Sequence, residues 1–124
     1  MLALVLLALS LFGANVAPSG SLVILSQVLT ATSPAISFGA TFNGVPNNSH
    51  PEVAISCSSP YFLNAQAAPD GGDKDTPWTV TFGGTSGYAY PPQGDQCSAL
   101  LYYYVWKGGH EVGRVDLATV SFST

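Results

Sequence analysis

From about residue 20 onward, apolar and polar residues alternate in short runs bounded by Gly, Pro, Asn and Ser. Ile36, Phe38, Ala40 and Phe42 alternate with Ser37, Gly39, Thr41 and Asn43, the period-two pattern of a strand with one buried face. Val53, Ile55 and Cys57 alternate with Ala54, Ser56 and Ser58, and Trp78, Val80 and Phe82 alternate with Thr79 and Thr81. Leu22 to Thr32, Tyr61 to Gln66 and Val112 to Phe122 read as further strands, the last with a phase shift near Leu117-Ala118 that predicts a bulge. Between them, GVPNNSHP (44–51), AAPDGGDKDT (67–76) and GGTSGYAYPPQG (83–94) are loops. Lys107-Gly108-Gly109-His110 is a hairpin turn, its paired glycines suited to positive φ.

The stretch Gln96 to Trp106 organises the rest. It is rich in aromatic and aliphatic residues and contains no Gly or Pro. Read at period two, Cys97, Ala99, Leu101, Tyr103 and Val105 share one face, and Ser98, Leu100, Tyr102, Tyr104 and Trp106 the other. Both faces are apolar enough to need cover, which predicts a central strand. About seven strands with turn signals at roughly ten-residue spacing, and no helical periodicity, predict an all-β antiparallel sandwich; an up-and-down barrel is the alternative.

Composition agrees with one small β domain. Charged residues are 8% of 124, while Gly (13) and Pro (9) supply turns. A formal charge of −4, with Lys74, Lys107 and Arg114 as the only cationic residues besides histidine, argues against a nucleic-acid partner and disfavours an anionic membrane surface, since no basic cluster exists to displace counterions from phosphates.

Residues 1–20 read as an export signal or hydrophobic amino-terminal segment, and 21–124 as the sandwich domain. Leu2 to Phe12 is an apolar run of signal-core length, too short to span a bilayer. It lacks a preceding Lys or Arg, so a misassigned start or a strand retained in the fold stands as the competing reading. No second run of spanning length occurs, and the mature form is expected to have no membrane span. An even pair of cysteines in a small exported chain is most simply a disulfide, Cys57–Cys97; free thiols or half of a metal site are the other readings. The bridge would close about forty residues, worth on the order of 4 kcal/mol by chain entropy.

Cys57, Trp78 and Cys97 in Cys–Trp–Cys order, with the closing segment CSALLYYYVWKGG…VDLATVSF, resemble immunoglobulin-like domains. More narrowly, PWTVTFGG…DQCSALLYYY…LATVSF over residues 22–124 resembles small exported immunoglobulin-like proteins of actinobacteria and their phages. Asp95, two residues before Cys97, stands where antibody-type domains carry the tyrosine corner. Trp78 also follows Cys57 too distantly for the usual tryptophan of strand C. Set against the resemblance, these departures leave two positions open for Cys57: strand B, or the strand equivalent to C with a bridge to its neighbour within one sheet. The resemblance implies a fold and little about activity.

Candidate chemistry is sparse. His50 and His110 lie in loops beside Glu52 and Glu111, with no GxSxG elbow, so no catalytic residues and no cofactor are assigned. Asp70, Asp73 and Asp75 are a weak calcium candidate whose spacing is not that of an EF-hand and which Lys74 interrupts. Asn47-Asn48-Ser49 is formally a glycosylation acceptor. The stronger candidate is aromatic. Tyr102, Tyr104 and Trp106 would stripe the outer face of the central strand, with Tyr88 and Tyr90 extending it from the preceding loop, as a platform for a sugar or partner protein. Packing under another segment, or a one-residue error of phase, would remove that platform. The expected function is a secreted or cell-surface module for binding, adhesion or structural display. Alternatives are a phage virion decoration or tail domain, and a secreted enzyme or enzyme inhibitor.

Overall fold

A computed structural model of the chain describes residues 16–68 and 75–124. The apolar run Leu2 to Phe12, and Asp70 and Asp73 of the calcium candidate, lie outside the described residues. Within them the alternating segments form seven strands and no helix: β1 (Ser19–Val28), β2 (Ala35–Asn43), β3 (Glu52–Cys57), β4 (Phe62–Gln66), β5 (Trp78–Gly83), β6 (Gln96–Lys107) and β7 (His110–Ser123). They make two antiparallel sheets, β1-β2-β5 and β4-β3-β6-β7, packed as a sandwich. Separate sheets with crossing connections replace the barrel alternative.

The inward residues are those the alternation selects. Ile36, Phe38, Val53, Ile55, Phe82, Ala99 and Leu101 are fully buried between the sheets. Phe38 of β2 meets Phe82 edge-on at 6.1 Å and Phe122 of β7 at 5.8 Å, so one ring ties both sheets together. Gly20 on β1 allows the strand to lie close to the opposite sheet: a Cβ there would stand 3.1 Å from Leu117 and 3.2 Å from a Leu101 methyl. β1 begins at Ser19, inside the segment assigned to export, and ends at Val28 rather than Thr32. The Thr30 hydroxyl accepts the Ser33 N–H at 3.3 Å, turning the chain where the sequence pattern suggests continued strand.

Two phase changes shape β7. Leu101 pairs with Ala118 but Tyr102 with Asp116, which makes Leu117 the extra residue of a bulge where the sequence predicts one. A second shift between Val105 and Trp106 leaves Val112 exposed. Gly108 and Gly109, at φ 58° and 77°, close the β6–β7 hairpin with both central residues left-handed, as a tight two-residue turn requires. The loop 44–51 is less solvated than its composition implies. Val45 joins Phe42, Ala68 and Tyr103 in a second buried cluster, and Ser49 is also buried.

Cys57 and Cys97 are bonded and sit directly opposite each other on β3 and β6, neighbours in the same sheet, with Cα atoms 4.0 Å apart. The next pair outward, Ser58 N–H to Gln96 C=O at 2.9 Å, is hydrogen-bonded, so the cysteines occupy a non-hydrogen-bonded position where opposed side chains come closest. The bridge therefore staples two adjacent strands and fixes their register instead of joining the two layers. Replacing both residues (Cys57→Ser with Cys97→Ser) should lower unfolding free energy by about 4 kcal/mol, the chain-entropy value for a loop of this length. A lowered urea midpoint checks it, with an m-value that rises because the denatured chain without the crosslink exposes more surface.

Candidate ligand-binding face

The register on either side of β6 builds the outer surface of the four-stranded sheet row by row. Glu52 faces Gln66 on β4 and Tyr102 on β6, and Tyr102 faces Asp116 on β7. The next row is Asn64, Ala54, Leu100 and Thr119; beyond it come Phe62, Ser56, Ser98 and Ser121. Toward the hairpin end, Tyr104 pairs with Arg114 and Trp106 with Glu111. The pleat therefore sends Cys97, Ala99, Leu101 and Tyr103 inward and presents Tyr102, Tyr104 and Trp106 outward, in the phase the sequence predicts.

The three outward rings differ in what they offer. Tyr102 is only 2% exposed. The Arg114 guanidinium lies over its ring, 5.6 Å from the centroid, and Tyr104 meets it edge-on at 5.3 Å. Arg114 is held in place by Asp116 at 2.8 Å. Tyr102 thus braces the face and adds little surface to it. Tyr104 is half-buried, while the Trp106 side chain is 45% exposed.

Around these two rings is a cleft of about 370 Å³ lined by His50, Glu52, Gln66, Tyr104 and Trp106. Its walls are supported from behind. The Asn64 amide donates to Glu52 Oε1 at 3.2 Å, and Tyr102 stands directly opposite Glu52 on the neighbouring strand. The Ser49 hydroxyl donates to the Tyr104 carbonyl at 2.9 Å, and the Ser49 N–H bonds the Pro46 carbonyl at 3.0 Å, tying down the loop that carries His50. That engagement buries the serine of the glycosylation triplet. Glu52 and His50, read from sequence as incidental loop residues, are brought against the aromatics by the β3–β6 pairing. Glu52 shares the outward phase of Ala54 and Ser56, but the strand it would face is not legible from that phase.

Tyr88 and Tyr90 do not extend this surface. Gln27 donates to the Tyr90 hydroxyl at 3.0 Å and to the Ser123 carbonyl, and Ser123 pairs with Gln96 at the start of β6. Trp106 stands ten residues further along that strand, roughly 33 Å away at about 3.3 Å per residue. Tyr88 packs against Phe82 at 5.5 Å, and Tyr90 lines a separate cleft of about 290 Å³ with Leu29, Pro34 and Pro91. His110 lies in the hairpin turn, outside the Trp106 cleft. Asp75 lines a third cleft with Ser19, Thr41 and Asn43, and the described residues hold no group of three or more His, Cys, Asp or Glu side chains able to ligate a metal. Among the described residues no helix is long and apolar enough to cross a membrane.

Comparison with protein-family models, curated proteins and solved structures finds no match for this chain.

Burial raises the Tyr102 phenol above its ordinary 10.0, and the neighbouring Tyr104 and Glu52 side chains act in the same direction. The folded chain keeps this proton in a range where the unfolded chain releases it. Its contribution to stability is therefore complete below about pH 10 and falls as pH rises beyond that value. Between about pH 9 and about pH 10.5 the urea midpoint should drop less in Tyr102→Phe than in the wild type; equal drops would place the proton elsewhere.

Proposed function

We propose that this chain is a non-enzymatic, exported immunoglobulin-like module that binds a partner through the outer face of its four-stranded sheet. The observation that carries the reading is Trp106, half-exposed beside Tyr104 over a polar-walled cleft, on a face the core does not use. Large aromatic surface left in water at a cleft with convergent polar groups is the usual composition of a recognition site. The supporting hydrogen bonds at Glu52 and Ser49 favour a preformed site, which lowers the entropy lost on binding.

The strand arrangement supports the immunoglobulin-like part. Seven antiparallel strands divide three and four, with the last two forming a hairpin. The fourth strand pairs with the third, whereas in constant-type immunoglobulin domains it lies in the sheet of the first two. Export is supported by the disulfide, since such bridges persist in oxidising compartments, together with the apolar run at Leu2 to Phe12. The non-enzymatic part rests on the cleft's lining: among the described residues Glu52 is its single carboxylate, where glycoside hydrolysis ordinarily uses two, and no serine or cysteine nucleophile lines it with His50.

Two experiments test this. Labelled protein incubated with intact cells and isolated envelopes of its host should be retained. The Trp106→Ala and Tyr104→Ala variants should lose most retention while their melting temperatures stay within a few degrees. Retention equal to wild type would remove the face from the reading, and a large fall in melting temperature would make these rings structural. Separately, mass spectrometry of native material should find a mature amino terminus beyond Phe12 and no free thiol. An intact Met1 would favour virion display over export.

A further inference from the structure

The lining of the Trp106 cleft narrows the class of ligand. We infer that it binds a neutral pyranose sugar, one or two rings of a longer glycan; this rests on the reading of that face as the binding face. A pyranose has two recognition surfaces: an apolar C–H face, and a rim of hydroxyls that each donate and accept hydrogen bonds. The cleft presents the complement of both. The Trp106 indole and the Tyr104 ring, outward neighbours on one strand, supply aromatic surface for the C–H face. Glu52 accepts, while the Gln66 amide donates and accepts. At about 370 Å³ the volume lies at the small end of ligand clefts, about 300–1,000 Å³, room for a sugar ring or two.

Charge removes the competing small ligands. Among the described residues no Lys or Arg lines the cleft, and Arg114, the nearest in the register, is occupied by Asp116 and the Tyr102 ring. A phosphate, uronate or sialate would therefore face Glu52 with no countercharge. A quaternary ammonium would welcome Glu52, but its recognition needs aromatic rings on several sides. Here both rings come from a single strand, and the remaining lining is polar.

Isothermal titration and saturation-transfer NMR on the full chain, with cello-, malto-, manno-, galacto- and N-acetylglucosamine oligosaccharides as probes, test the inference. At least one of these neutral glycans should bind with a dissociation constant on the order of 0.1–1 mM. Trp106→Ala should weaken it about tenfold or more, Trp106→Phe should weaken it less, and Gln66→Ala should weaken it at unchanged melting temperature. No response from any of them at about 10 mM overturns the inference, as does preferential binding of a polyuronate or of choline. Retention on envelopes that depends on Trp106 but survives periodate oxidation of their glycans, and is lost on protease treatment, also overturns it while leaving the binding face in place. Retention that does not depend on Trp106 defeats the face itself.

Discussion

The pairing of Cys57 with Cys97 is the constraint on which the surface chemistry of this protein depends. A bridge between directly opposed residues of adjacent strands admits a single register, and every other β3–β6 pair follows from it, Glu52 against Tyr102 included. A slip of one residue would turn the outward residues of one strand toward the core and place Glu52 opposite Leu101 or Tyr103. The bond therefore acts twice: it shortens the excursions of the unfolded chain, and it aligns a carboxylate with an aromatic stripe.

β6 serves both halves of the molecule because a strand has two faces. Its inward side packs Ala99 and Leu101 into the main core and Tyr103 into the smaller cluster with Phe42 and Val45. Its outward side begins polar at Ser98 and becomes aromatic toward the hairpin. Tyr102 lies where these regimes meet, buried on the outer face by Arg114 and Tyr104, directly opposite Glu52. It contributes to stability on the face proposed for binding, and by bracing Tyr104 it makes that face rigid. The described buried side-chain polar atoms all have hydrogen-bond partners, so this face carries no unsatisfied group that would loosen it.

The two bulges of β7 decide where the outer face ends. The first, at Leu117, lets that side chain reach both buried clusters and resets the phase so that Asp116 and Arg114 turn outward beside Tyr102 and Tyr104. Without the extra residue, continued alternation from Thr119 and Leu117 would put an aliphatic residue where the cation now sits. The second bulge, near Val112, follows the glycine turn and lies at the open end of the face beside Trp106.

The local pattern alone determined which segments are strands, which side of β2, β3 and β5 is buried, where the hairpin turns and where β7 changes phase. Those properties follow from side-chain alternation and turn chemistry within a few residues, as in Ile36–Phe38–Ala40–Phe42 and Gly108-Gly109. The end of β1 was misplaced because a threonine hydroxyl competing for the backbone leaves no mark on hydrophobic periodicity. The burial of Val45 and Ser49 in a turn-rich loop was equally hidden, since composition reports solubility and not what a loop rests on. The division into three and four strands, the distance between Tyr90 and Trp106, the burial of Tyr102 and the meeting of His50, Glu52, Gln66, Tyr104 and Trp106 belong to the tertiary structure. Each depends on which strand lies beside which, a choice made by contacts between residues far apart in the chain.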